Sequence, residues 1–234
     1  MARNQQPWAT RTARDRSEAP ARGRLLDAAE TVFARRGYGP TTIAGITAEA
    51  EVSRAGFYVY FASKEEIFRV LAVRVRDAFL AAQDVPGVDR DDAREVVAAS
   101  TAAFIAAYAR HLPLLRLLEQ QAQVDEDVRA LWEETQERPV HRSARYIRRL
   151  AAEGRATPVA DPLAVARAVG GMSIQFARLT AAAPESPETY DAAVRDVTAM
   201  FLHLLGVDPS GSGPRSSSAT GASGPTGGPT RPGP

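Results

Sequence analysis

The stretch TTIAGITAEAEVSRAGFYVYFASKEEIF, residues 41–68, decides the fold of this chain because it contains two short helical patterns separated by a tight turn. Residues 42–50 and 54–60 have the composition and spacing of helices, and Ser53 stands directly before the second one as its N-cap. Two short helices joined in this way have the dimensions of a helix-turn-helix. The sequence therefore predicts a compact helical unit at this position.

Helical signals continue on both sides of this unit. A helix is predicted over about 21–36, because its apolar residues recur on one face and a glycine follows its end. Ile46 and Phe57 are expected to supply the apolar contact between the two short helices. A further helix begins after Ser63, since Ser63 and Glu66 fit a capping box in which each side chain satisfies the other residue's backbone N–H.

The rest of the chain up to residue 206 shows helical patterns and no convincing strand, so the predicted fold class is all-α with about nine helices. Pro139 is expected to kink or split the long helical region around it, because proline lacks the N–H that an interior helical position needs. The later helices are predicted over 91–110, 113–122, 126–153, 162–182 and 187–205.

Composition divides the chain into four parts. Residues 1–19 form an Arg-rich, flexible arm with almost nothing to bury. Residues 207–234 form a tail made mostly of Gly, Pro, Ser and Thr, which is expected to be disordered because it cannot bury enough apolar surface. Between them the sequence predicts a helix-turn-helix domain over 20–66 and a larger helical domain over 67–206.

Composition and charge exclude several classes of protein. The 29 basic and 28 acidic residues leave a formal net charge of +1, so the chain is not a polycation. No cysteine is present, which excludes disulfides, thiolate metal sites and cysteine nucleophiles. Three scattered histidines and no catalytic motif predict no metal, no cofactor and no enzymatic activity. No apolar run approaches the roughly 20 residues of a membrane span, so we expect a cytoplasmic protein without a membrane partner.

Residues 41–68 strongly resemble the DNA-binding domain of the TetR family of one-component regulators. The residues that carry the resemblance are Thr42, Val52, Ser53, Phe57, Tyr58, Tyr60, Phe61, Ser63 and Lys64. The chain departs from the family pattern at two positions, with Glu51 where glycine is common and Gly56 where many members have threonine. Glu51 must adopt a positive φ or reshape the turn. Gly56 either permits close approach to DNA or changes the base preference.

The resemblance implies that this unit binds double-stranded DNA. Arg54 lies in the first turn of the recognition helix, where an arginine reads guanine in the major groove or binds phosphate. Thr42, Tyr58 and Tyr60 are expected to donate to phosphates, and Lys64, the one lysine of the chain, to bring its charge to a phosphate. The Arg-rich arm either reaches DNA or is a solvated tail. The predicted DNA-binding residues are Thr42, Ser53, Arg54, Gly56, Tyr58, Tyr60 and Lys64.

The last two predicted helices carry apolar residues at alternating spacings of four and three, the pattern of helices that pack nearly antiparallel. In TetR-like proteins the last two helices pair with their copies, so the resemblance implies a homodimer interface here. The alternative is that both apolar seams face the core of their own subunit. The predicted interface residues are Val165, Val169, Tyr190, Val194, Val197, Phe201 and Leu204.

The resemblance also implies a small-molecule effector cavity in the larger helical domain. Gly170 and Gly171 lie inside a predicted helix, where they leave room for close packing or for a ligand. The polar groups on the candidate lining are Tyr and Gln without a charge cluster, which favours a largely apolar, uncharged ligand; the alternative is that this stripe is plain core. The predicted lining residues are Phe104, Tyr108, Leu114, Leu118, Trp132, Gln136, Met172, Gln175 and Phe176.

Taken together, the resemblance implies a ligand-responsive transcriptional regulator, in such families usually a repressor. It would bind a palindromic operator as a homodimer and release it when the effector binds. An activator or dual regulator of the same fold is the alternative. An all-α enzyme and an all-α interaction adaptor are the other classes, but an adaptor gives no reason for Thr42, Tyr58, Tyr60 and Lys64 to fall in register.

Overall fold

The structure is a computed structural model that describes residues 20–207. Within this range the chain forms eight α-helices and no strand, so the predicted all-α fold class is confirmed. The helices are α1 Pro20–Arg36, α2 Ile43–Ala50, α3 Arg54–Tyr60, α4 Lys64–Ala81, α5 Ala93–Gln121, α6 Glu126–Ala152, α7 Pro162–Ala182 and α8 Pro187–Leu205.

Short polar side chains cap the helices of the amino-terminal unit. Ser53 accepts a hydrogen bond from Gly56 N at 3.0 Å, and α3 begins at the next residue. Ser63 likewise accepts from Glu66 N at 3.2 Å. The predicted capping box is wrong in its second half, because the Glu66 carboxylate accepts from the N–H of Ala62 instead of that of Ser63. The start of α4 is nevertheless where the capping pattern places it.

The structure has one helix fewer than predicted because 91–110 and 113–122 belong to a single helix, α5, with Pro113 inside it. Proline removes one backbone hydrogen bond from a helix interior. Leu112 and Leu114 are buried on either side of Pro113, and this packing holds both halves of α5 in line. Pro139 also lies inside a continuous helix, α6, so it does not split that region.

The centre of the molecule is α5, which packs against α1, α4, α6, α7 and α8. The larger core cluster joins residues of the helix-turn-helix, such as Phe33 and Phe57, with residues of α5 such as Ile105. A smaller cluster lies where the ends of α6 and α8 meet the starts of α5 and α7. By contrast, α3 packs mainly against α2, so the second short helix lies at the edge of the molecule.

The predicted domain boundary between residues 66 and 67 falls within α4, which runs without interruption from Lys64 to Ala81. Because α4 contributes Phe68 and Phe79 to the same core cluster, this helix connects the helix-turn-helix to the rest of the fold. The division at this point stays a prediction. The predicted arm, residues 1–19, and nearly all of the predicted tail lie outside the described residues.

Candidate nucleic-acid interface and interior cavity

The helix-turn-helix is held together by its apolar residues and leaves one face of α3 open. Ile46 and Phe57 are completely buried in the same core cluster, as the sequence predicts. On the opposite side of α3, Tyr58 and Val59 are about half exposed. Arg54 is exposed, and its guanidinium carbon lies 6.0 Å from the centre of the Tyr58 ring. Arg54 and Tyr58 therefore form a continuous polar surface along α3.

The turn between α2 and α3 depends on a residue in the left-handed region. Glu51 has φ 52° and ψ 42°, which is the first of the two alternatives that the sequence left open. The N–H of Glu51 donates to the carbonyl of Ala48, and the N–H of Val52 donates to the carbonyl of Thr47 at 3.1 Å. These bonds satisfy carbonyls at the end of α2. The left-handed residue thus fixes the angle at which α3 leaves α2.

Gly56 has a packing reason that lies within the protein. A Cβ at this position would lie 2.8 Å from Val52 Cγ1 and 3.2 Å from Ser53 Oγ. The first distance is shorter than side chains tolerate, so a larger residue requires Val52 to move. The glycine therefore lets the turn and the Ser53 cap pack closely against α3.

Thr42 caps α2 by accepting from Gly45 N at 3.1 Å. A Cβ on Gly45 would lie 3.4 Å from Arg36 Nη1 and 3.5 Å from Thr42 Oγ1, so the Arg36 guanidinium and the Thr42 hydroxyl both lie beside Gly45. Arg36 is exposed and forms no ion pair within residues 20–207. Arg36 was not predicted from the sequence as an anion-binding residue, although an arginine at the end of α1 just before the helix-turn-helix is a visible signal.

Lys64 connects the start of α4 to the loop after α1. Its Nζ donates to the carbonyl of Tyr38 at 3.0 Å and to that of Gly39 at 3.4 Å, and it lies 4.4 Å from the centre of the Tyr38 ring. An ammonium has three N–H donors, so one remains for another acceptor. Tyr60 is half-buried and packs against the core. The predicted DNA-binding residues thus lie along α2, α3 and the start of α4, and their contacts with DNA stay predictions.

A cavity of about 560 Å³ lies between α4, α5, α6 and α7, with one residue contributed by α8. Its apolar wall includes Phe79, Phe104, Ile174 and Phe201. Polar side chains line it as well, among them Gln83 from the turn after α4 and Tyr146 from α6. Gly171 also lines the cavity, and a Cβ at that position would meet nothing within 4 Å.

Two of the predicted effector residues, Phe104 and Gln136, line this cavity. Tyr108, Leu114 and Leu118 are buried in the larger core cluster instead, because α5 lines the cavity only with its first half, up to Phe104. Trp132 packs against the larger core cluster and Met172 against the smaller one. Gln175 is exposed, and Phe176 lines a second pocket between α7 and α8. These residues are not brought together, and their role in effector binding stays a prediction.

The face of α6 that lines the cavity was not predicted from the sequence. Arg142, Arg145 and Arg149 all border the cavity, together with Ser143 and Tyr146. Spacings of three and four place the three arginines on one side of a helix. This spacing is visible in the sequence. The three arginines form a cluster of charge on the lining, whereas the sequence analysis expected none there.

Most of the predicted dimer-interface residues face the core of their own subunit. Val165, Val169, Val197 and Phe201 are at least nine-tenths buried within the chain. The three others, Tyr190, Val194 and Leu204, are half-buried and pack against the two core clusters. Their 4-3-4-3 seam therefore faces inward, which is the alternative that the sequence left open. On α7, the large apolar side chain that faces outward is Leu179, at 52% exposed.

A polar contact connects the helix-turn-helix to α5. His111 Nδ1 lies 2.8 Å from Glu30 Oε1 on α1, and the His111 side chain is almost completely buried. The hydrogen bond from His111 is the largest cause that holds the pKa of Glu30 below its ordinary value. Since an ionised carboxylate only accepts, Nδ1 carries the proton in this contact.

Across residues 20–207 no cluster of three or more potential metal-binding side chains occurs. In the same part of the chain, every helix is too short or too polar to span a bilayer.

The helix-turn-helix matches a protein family. Residues 25–71 match the model of the family described as bacterial regulatory proteins, tetR family. A stretch of 63 residues is 41% identical to the HTH-type transcriptional regulator YfiR of Bacillus subtilis (strain 168). That stretch covers 27% of this chain and only 29% of YfiR, so the similarity extends over less than a third of either protein.

Solved structures resemble the whole fold. A TetR-like transcriptional regulator from Rhodococcus sp. RHA1 superposes with a TM-score of 0.59 at 24% identity, over 78% of this chain and 94% of that one. The TetR family transcriptional regulator PfmR from Thermus thermophilus superposes with a TM-score of 0.61 at 21% identity, over 78% of this chain and 98% of that one. Similarity at this level of identity shows a shared fold.

Proposed function

We propose that this chain is a homodimeric transcriptional repressor of the TetR family, whose family model matches residues 25–71. It binds a palindromic operator and releases it when a small, largely apolar effector enters the cavity. The observation that carries the proposal is the exposed face of α3, where Arg54 and Tyr58 project from a helix at the edge of the molecule. The compared proteins are described as transcriptional regulators, which supports a non-enzymatic, DNA-binding role; a cytoplasmic location stays a prediction.

DNA recognition divides between reading and positioning residues. Arg54 has no carboxylate partner within residues 20–207, so its guanidinium is available for the edge of a guanine. Thr42, Tyr58 and Arg36 can donate to phosphates, which fixes the protein on the duplex without reading sequence. Lys64 uses two donors within the protein and offers the third to a phosphate.

The test begins with a binding-site selection on the full chain, which should return a palindromic consensus. Arg54→Ala should then weaken binding to that operator by about 1–3 kcal/mol per half-site and relax the preference at one base position. Arg178→Ala on α7 is the matched control, because Arg178 is also exposed and unpaired within the described residues but lies outside the helix-turn-helix. Equal weakening by both variants, or by Arg54→Ala on operator and scrambled duplexes alike, contradicts the assignment.

The dimer interface belongs on the outward faces of α7 and α8. Since the apolar seam is used within the subunit, a second copy must pack on exposed residues, among them Leu179, Ala168 and Ala199. Small residues at such positions allow close helix packing between copies. Palindromic recognition needs this twofold arrangement.

Leu179→Arg should shift the full chain from dimer to monomer, because an unpaired charge at an interface is strongly unfavourable. Val159→Arg is the control, since Val159 is 60% exposed and lies in a loop. Light scattering over a dilution series measures both. A Leu179→Arg variant that stays dimeric at every concentration places the interface elsewhere. Phe201→Arg is not a suitable test, because Phe201 is buried in the subunit and its replacement would disturb folding.

Effector release needs a connection between the cavity and the helix-turn-helix, and α5 provides one. Its first half lines the cavity with Val97, Thr101 and Phe104, and its second half holds Glu30 of α1 through His111. A ligand that binds one arrangement of α5 more tightly shifts the population toward that arrangement. Filling the cavity with Gly171→Trp or Ser100→Phe should abolish the response to the effector and leave operator binding intact.

A further inference from the structure

The walls of the cavity differ sharply in chemistry. Aromatic and aliphatic side chains line it from three helices, with Phe79 on α4, Phe104 on α5 and Ile174 on α7. The side formed by α6 presents Arg142, Arg145 and Arg149. A molecule that fills such a space meets both apolar surface and guanidinium groups.

The charges on the lining do not balance. Five arginines border the cavity against two carboxylates, those of Asp84 and Glu137. Asp84 accepts a hydrogen bond from Arg90 at 3.0 Å, and Glu137 lies 3.4 Å from Arg167. Each carboxylate is therefore already engaged by an arginine. Asp84 also lies 3.9 Å from Arg142, and Arg149 lies near Glu153, so the charge that remains unpaired on the α6 face is that of Arg145.

Arg145 is the member of this face that lacks a partner. Arg142 donates to the carbonyl of Leu80 at 3.0 Å, and Arg149 lies 3.8 Å from Glu153. Arg145 forms no ion pair or hydrogen bond within the described part of the chain. A guanidinium at the border of a partly apolar cavity is a favourable partner for a planar or tetrahedral oxyanion.

Two neutral groups beside the arginines also lack partners. The hydroxyl of Tyr146 and the side-chain carbonyl of Gln83 are buried and form no hydrogen bond in residues 20–207, and both residues line the cavity. Burial raises the pKa of Tyr146, so its phenol stays a neutral donor. An unpaired buried hydroxyl is costly, and a ligand oxygen within its reach would remove that cost.

Resting on the proposed role of the cavity as the effector site, we propose that the effector is an organic monoanion whose apolar body packs on Phe79 and Phe104 and whose carboxylate or sulfonate binds Arg145. The volume of about 560 Å³ is in the range that holds a drug-sized molecule. The unpaired charge of Arg145, and the excess of arginines over carboxylates on the lining, disfavour a cation in the same space. Because Arg145 alone among the α6 arginines of the lining is free, the site matches one negative charge instead of several.

Two fluorescent probes test this proposal on the full chain without knowledge of the natural effector. Anilinonaphthalene sulfonate carries a sulfonate, and N-phenyl-naphthylamine has the same aromatic body without it. Wild-type protein should bind the sulfonate at least about tenfold more tightly than the neutral probe, as expected for a hydrogen bond to a charged group. Arg145→Gln should remove about tenfold of the sulfonate affinity and leave the neutral probe unchanged.

Arg148→Gln is the matched control, because Arg148 is an exposed arginine of α6 that does not border the cavity. It should change neither affinity, whereas Gly171→Trp and Ser100→Phe should reduce the binding of both probes. If the filling variants block both probes but Arg145→Gln leaves sulfonate binding unchanged, the monoanion proposal is wrong and the cavity still stands as a binding site. The monoanion proposal is also wrong if the neutral probe binds as tightly as the sulfonate. If the filling variants leave the binding of both probes unchanged, the cavity is not a ligand site, and its proposed role as the effector site is also wrong.

Discussion

Glu51 is the one non-glycine residue with a positive φ between residues 20 and 207, and replacing it with glycine should stabilise the protein. Its side chain is exposed and forms no ion pair or hydrogen bond in the described structure, so Glu51→Gly removes no contact. An L-residue in the left-handed region costs roughly 1–2 kcal/mol. Glycine removes this cost, but the larger entropy of its unfolded chain offsets roughly 0.5–1 kcal/mol of the stability gained. The expected net gain in the free energy of unfolding is about 1 kcal/mol, or a rise in Tm of about 2–4 °C.

Thermal unfolding followed by circular dichroism, at one protein concentration, measures this gain. Glu51→Ala should change the stability little, since alanine keeps the Cβ and therefore the strain. Ala48→Gly is the second control, because Ala48 is exposed in the same helix with right-handed geometry and its replacement should destabilise by about 1 kcal/mol. If Glu51→Gly gives the same Tm as Glu51→Ala, or a lower one, the left-handed conformation stores no removable strain.

Two further predictions concern other single positions. Gly206→Ala should destabilise by at least about 2 kcal/mol, because Gly206 has φ 65° and a Cβ there would clash with the carbonyl oxygen of Thr157. Gly154 has φ 69° with nothing within 4 Å of a new Cβ, so Gly154→Ala should lose only the stability that a positive φ costs an alanine. If thermal unfolding shows the same loss of stability for both variants, the clash at Gly206 makes no contribution. In the folded protein the pKa of Glu30 lies below its ordinary value of 4.5. The ionised carboxylate therefore stabilises the fold above pH 4.5, and this stabilisation is lost as the pH falls through the folded pKa. Glu30→Gln should therefore lower the free energy of urea unfolding at neutral pH and reduce its loss toward acid, whereas parallel pH profiles would rule out a contribution from the His111 contact.

Local signals made the amino-terminal unit predictable. Ser53 and Ser63 are short side chains placed before helical patterns, and each caps the helix that follows, because capping depends on neighbours three residues away. Thr42 was assigned to the helix itself, but it is the N-cap of α2. For Glu51 the sequence narrowed the choice to a positive φ or a reshaped turn, and the structure has the positive φ. Pro113 was misleading because its local cost is outweighed by the packing of α5 against five other helices, which no local pattern reveals.

Sites that depend on tertiary arrangement were harder to predict. The spacing of Val165, Val169, Val197 and Phe201 correctly indicated a buried face on each of the last two helices, but spacing does not say whether the subunit or its copy covers that face. The cavity posed a related difficulty, because a run of apolar residues has the same periodicity beside an empty space as beside packed side chains. Phe104 lines the space, yet Tyr108 one turn later is core.

The unbroken course of α5 implies that ligand binding in the cavity and operator binding by the helix-turn-helix influence each other equally. A helix of 29 residues extends about 44 Å at 1.5 Å per residue, so one stiff element borders the cavity near its start and holds α1 near its end. Thermodynamic linkage then makes the influence reciprocal: if the ligand weakens operator binding by some factor, operator DNA must weaken ligand binding by the same factor. Calorimetry of the ligand with free protein and with the protein–operator complex would yield two affinities whose ratio is fixed in advance by the DNA-binding data.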